Sequence, residues 1–170
     1  MIDMADFYKH IRQYYTEKGV DSTELFRFLL SVADEIGRDA AFAHLEKCVI
    51  EKRLSWLKAH HITLNGVRDP VEEAYRMFFQ RYLGVSVPDD GEICERSKTM
   101  LVMRWWNYCP TLEACNKFNL DTRDVCLKVY HRPVQELFSR IHPCLLFVRN
   151  YDKIRPHAPY CEEMIVLKEQ

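Results

Sequence analysis

Apolar side chains recur at helical spacing through the first half of the chain and turn strand-like in parts of the second. Over residues 4–18, Phe7, Ile11, Tyr14 and Tyr15 fall at i, i+4, i+7 and i+8, which predicts one helix stopped by Gly19. The run Asp21-Ser22-Thr23-Glu24 offers a capped start to a second helix, whose face carries Leu25, Phe26, Leu29, Leu30 and Val32 before Gly37. Asp39 is the expected cap of a third over 40–60, with Phe42, Leu45, Val49, Leu54 and Leu57 inward. These are helical hairpins.

A turn or short extended piece around Asn65-Gly66, after His60-His61, leads to a helix over 70–82. Pro70 opens that helix, and Gly84 follows its end. The stretch 85–91, with Pro88, Asp89, Asp90 and Gly91, is the clearest loop and marks the place for an internal boundary. Residues 93–106 hold no Pro or Gly and suit a pleated surface, so one long strand is expected. Short helices then follow at Cys109-Pro110, at Asp121-Thr122-Arg123-Asp124 and, restarted by Pro133, to Ile141. Strands over 145–148 and 163–167 are joined by a polar loop over 149–160. The fold class is therefore α+β: N-terminal helical hairpins, then a small, mostly antiparallel sheet with helices between its first and second strands.

A length of 170 residues fits a single domain, with 85–91 separating a helical part from an α+β part. Lys plus Arg (24) nearly balance Asp plus Glu (25), so no global field would hold nucleic acid or an anionic membrane. No apolar run approaches the ~18 residues of a spanning helix. The partner expected is a small-molecule substrate or ligand, with self-association through the aromatic N-terminal helices as a further option. Seven scattered cysteines and an N-terminus without a basic-then-apolar leader predict free thiols and a cytoplasmic setting.

The candidate chemistry centres on Cys109. With Pro110 at the first helical position, Cys109 becomes the N-cap, facing unpaired N–H groups and the positive end of the helix dipole. That setting favours a reactive thiolate. A small buried cysteine at a turn is the alternative reading. Cys161 at a strand start and His157 in the loop before it are candidates to approach Cys109, and His157 also reads as a solvated loop histidine. Arg149 or Arg155 suits a substrate carboxylate, while Asn107 and Tyr108 are placed with the substrate-binding residues. No C-x2-C knuckle accompanies the cysteines and histidines, so no metal or other cofactor is expected; metal held by cysteines belongs to the alternative reading below.

The order Cys109-Pro110, Asp121-Thr122-Arg123-Asp124-Val125-Cys126, His142-Pro143 and Tyr160-Cys161-Glu162 resembles the L-2-amino-thiazoline-4-carboxylic acid hydrolase-like family across about 105–167. The pattern departs from that family at Tyr130, where a cysteine is expected, and at 156–159, where a glycine is. The resemblance implies Cys109, Cys126 and Cys161 as site residues. It also implies hydrolytic ring opening at a C–N bond of a small cyclic, carboxylate-bearing substrate. The layout and terminal cysteine are also similar to vinyl-reductase-like binding domains. That likeness implies the alternative, a sensory module in which the same cysteines hold a ligand or metal.

Overall fold

The structure, a computed structural model, describes residues 2–16, 19–60 and 66–169. The turn expected at His61 and on to Asn65 lies outside the described residues. Gly66, just after it, has φ 76°. The chain divides into two compact units, Met1–Lys52 with Cys109–Pro133, and Arg53–Tyr108 with Val134–Gln170.

The first unit is helical. Asp3 caps α1 (Met4–Arg12), which buries Phe7 and Ile11. The helix ends at Arg12 and does not run on to Lys18, because the aromatic and β-branched residues after it suit a strand better. β1 (Tyr15–Thr16) pairs antiparallel with β2 (Gly19–Val20), Tyr15 opposite Val20, and the Asp21 N–H closes the hairpin on the Tyr14 carbonyl at 2.9 Å. Gly19 (φ 134°) sits in this hairpin, not at a helix end. α2 (Ser22–Ile36) is capped by Asp21 and stopped by Gly37, as its sequence predicts.

α3 (Arg38–Ala59) begins directly after Gly37, whose carbonyl accepts from the Ala41 N–H at 3.1 Å. Two helices sharing one glycine leave no spacer in which Asp39 can cap. Its carboxylate instead takes Lys128 Nζ at 2.7 Å. α5 (Pro110–Phe118) ends at Asn119 in the left-handed region (φ 53°), and α6 (Thr122–Val125) opens under Asp121. The core joins Phe7, Leu25, Phe26, Phe42 and Leu45 to Ala114, Cys115 and Val129.

The second unit holds a four-stranded antiparallel sheet in the order β3-β4-β6-β5. The single strand expected over 93–106 is two: β3 (Gly91–Arg96) and β4 (Met100–Trp105). Ser97 does the work expected of Gly or Pro, since its hydroxyl oxygen accepts from the Thr99 N–H (3.3 Å) and the Met100 N–H (3.0 Å). β5 (Leu145–Arg149) and β6 (Cys161–Leu167) complete the sheet. The α+β class holds, with helices between the 91–105 hairpin and β5.

One face of the sheet carries Leu101, Met103 and Trp105 of β4, with Ile165, Leu145 and Phe147 beside them. It packs with Val71, Phe78, Phe79, Leu137 and Phe138. α4 (Pro70–Ala74) continues as π-helical turns over Tyr75–Tyr82, stacking Phe79 on Trp105 (5.2 Å, 14°). Each such side chain contributes about 1.5–3 kcal/mol by burial. Pro133 does not restart a helix. π-helical turns over Cys126–Tyr130 run straight into α7 (His131–Ile141), so Pro133 falls within the first turn of a helix that has already begun. Gln135 of α7 then covers the outer edge of β5, donating to the Leu145 carbonyl and accepting from the Phe147 N–H, each at 2.9 Å.

Candidate functional site

The sequence candidates fall in both units. Cys109 and Cys126 belong to the first. Asn107, Tyr108, Arg149, Arg155, His157 and Cys161 belong to the second.

Cys109 has the extended conformation of an N-cap (φ −127°, ψ 110°), and its Sγ accepts from the Leu112 N–H at 3.4 Å. The predicted cap is therefore formed, through the Pro110 start that motivated it. One and a half turns on, Cys115 is buried. Burial, with smaller contributions from Cys109 and Asp121, pushes its thiol up to about 12. Cys126 is half-buried and begins the π-helical turns. All seven cysteines are free thiols.

In the second unit Cys161 opens β6 directly opposite Trp105 of β4, so both side chains leave the same face of the sheet. The loop before it is tied down at both ends. The Asn150 N–H donates to the Glu162 carbonyl and the Glu162 N–H to the Lys153 carbonyl, each at 2.9 Å, and Ile154 is buried beneath. That bracing sets Arg155 against Cys161: its main-chain N–H reaches Sγ at 3.4 Å and its Nε at 3.3 Å. The far end of the guanidinium donates from Nη1 to the Asn107 carbonyl at 2.6 Å. Cys161, Arg155 and Asn107 are thus brought together.

Arg149 takes a different partner from the carboxylate expected for it. Its Nε meets Glu163 Oε1 at 3.0 Å, with side chains only 8% and 12% exposed, and its guanidinium lies 4.9 Å from the Phe147 ring centre. Arg149 and Glu163 are register partners on the face that carries Cys161. Tyr108 is 73% exposed, and His157 is exposed on the loop.

Two groups here, Glu163 and Glu162, escape a reading of the sequence. Glu163 has the alternation of β6 as its only signal, and that becomes useful once β5 is known to lie beside it. Glu162, on the opposite face, accepts from Asn150 Nδ2 and Arg104 Nε, each at 3.0 Å. The Asn150 hydrogen bond first, then Arg104 and Lys153, hold its carboxyl below the usual glutamate range. Trp105 is 3% exposed, and its Nε1 has no hydrogen-bond partner among the described residues.

Among the described residues no group of three or more His, Cys, Asp or Glu side chains is arranged to hold a metal ion. No described helix is long and apolar enough to cross a membrane. Compared with known proteins, the chain matches no family model, no curated protein and no solved structure.

Proposed function

We propose that this chain hydrolyses a C–N bond of a small, cyclic, carboxylate-bearing substrate, with Cys161 as its reacting thiol. The observation that carries the reading is the pair of N–H donors that Arg155 turns on the Cys161 sulfur, its guanidinium steadied by the Asn107 carbonyl. Cysteines beside a cation, on a backbone held in place, are the ones used as nucleophiles. The sulfur adds to an amidine-type carbon, the C–N bond breaks, and the leaving nitrogen takes the proton that the thiol gives up, which water returns to sulfur in the second step. Water then releases the product from sulfur.

Cys161 is assigned as the reacting thiol because a guanidinium N–H faces its sulfur together with a main-chain N–H. Seven free thiols suit a reducing, cytoplasmic setting. The resemblance of 105–167 to the thiazoline-carboxylate hydrolase-like family supplies the substrate class. The test is incubation with L-2-amino-thiazoline-4-carboxylate, read by mass spectrometry for substrate plus one water. The expected result is product from the wild type and from Cys109→Ala, and none from Cys161→Ala. Binding without turnover in the wild type would make the chain a ligand-binding module.

A further inference from the structure

The indole of Trp105 has a geometry that its packing role leaves unexplained. Its ring stacks on Phe79, and its Cε3–Cζ3 edge lies over Gly91 of β3, so close that a Cβ at Gly91 would press into it. Nε1 sits on the opposite edge of an indole, which turns the N–H away from β3. On that side β6 runs alongside, with Cys161 as the direct register partner of Trp105. Cβ atoms of such partners stand about 4.5–5.5 Å apart.

Burying an N–H without an acceptor is costly, and a donor-only group has a single way to be satisfied, by meeting an acceptor. The neighbouring indole makes the contrast plain: Trp106 donates from Nε1 to the Asp89 carbonyl at 3.0 Å. Trp105 is the more deeply buried of the two and has no such partner among the described residues.

We infer that Trp105 Nε1 is a substrate-binding donor, which takes a carboxylate oxygen of the substrate and holds the molecule beside Cys161. The inference rests on the reading of Cys161 as the reacting thiol. It adds a specificity residue: an analogue lacking the carboxylate leaves the indole unsatisfied and is rejected.

The test is a 1H–15N spectrum of the indole groups of the whole protein, with L-2-amino-thiazoline-4-carboxylate as probe and Trp105→Phe to assign the signal. The expected result is that the Trp105 indole proton moves downfield as probe is added, while the Trp106 signal, already bonded to Asp89, stays in place. Trp105→Phe keeps the ring stack and lowers probe affinity about tenfold, as loss of one hydrogen bond to a charged acceptor does. If calorimetry registers probe binding and the Trp105 signal does not move, the inference is overturned and the Cys161 reading stands. If the signal is already downfield without probe and stays there, a trapped water holds the N–H and the inference is overturned. No binding by calorimetry removes the Cys161 reading and the inference together.

Discussion

Arg155 donates twice to a single sulfur: its main-chain N–H and its Nε lie 3.4 and 3.3 Å from Cys161 Sγ. Residues six apart in sequence meet this way because the larger loop that carries them is braced by main-chain hydrogen bonds from Asn150 to Glu162 and from Glu162 to Lys153. The planar guanidinium can also reach the Asn107 carbonyl in the same pose. A lysine carries the same charge and cannot span both. Arg155→Lys is expected to cut turnover about tenfold, or ~1.4 kcal/mol of barrier, with the melting temperature little changed. Steady-state kinetics beside thermal unfolding checks this.

The Arg149–Glu163 pair is mostly buried, so its two halves are unequal to remove one at a time. Glu163→Leu leaves the Arg149 guanidinium without that carboxylate at a position 8% exposed. The expected loss is about 3 kcal/mol or more, read by chemical denaturation. Adding Arg149→Met to it should recover much of the loss, since two apolar groups in register across β5 and β6 replace the ion pair.

Glu162 supplies a pH dependence whose sign follows from its partners. Asn150, Arg104 and Lys153 hold its folded carboxyl below the ordinary range, so the folded state favours the ionised form. That contribution is fully present above the unfolded glutamate value of about 4.3 and is lost as pH falls from there through the lower folded value. Glu162→Gln is expected to be less stable at neutral pH, and to lose less than the wild type between neutral pH and pH 3. Urea midpoints measured across that range decide it.

Cys48 and Cys115 are predicted to be silent in native labelling. Burial pushes both thiols up to about 12, so at pH 8 roughly one in 10,000 is ionised. Peptide mass spectrometry after iodoacetamide should find both modified only once the protein is unfolded.

Gly91→Ala tests the closeness of β3 to Trp105. The added methyl meets the Arg104 carbonyl oxygen and the Trp105 ring. Backbone and an enclosed indole cannot both move aside, so a loss of about 1–3 kcal/mol in denaturant unfolding is expected.

Much of this fold was legible because local chemistry decided it. Asp21, Cys109 and Asp121 all cap the helices that follow them, and Pro70 opens its own. Elements were not legible where a side chain or a neighbour takes over a role usually signalled by Gly or Pro: Ser97 turning β3 into β4, and the π-helical turns before Pro133. The candidate site was legible in part for the same reason. Cys109 as a cap depends on its next residue alone, whereas the meeting of Cys161 with Arg155 and Asn107 depends on loop closure and on β6 lying beside β4. Trp105 packs in the core of the second unit, and its unsatisfied N–H becomes visible only once every neighbour has been placed.

The most direct test of the Cys161 assignment is site-resolved alkylation of native protein, with and without L-2-amino-thiazoline-4-carboxylate. Cys161 is expected to take up iodoacetamide in the native state, the probe to protect it, and Arg155→Lys to slow its labelling. A Cys161 that labels no faster than Cys115, or that labels equally with probe present while Cys109 is the cysteine protected, would contradict the assignment.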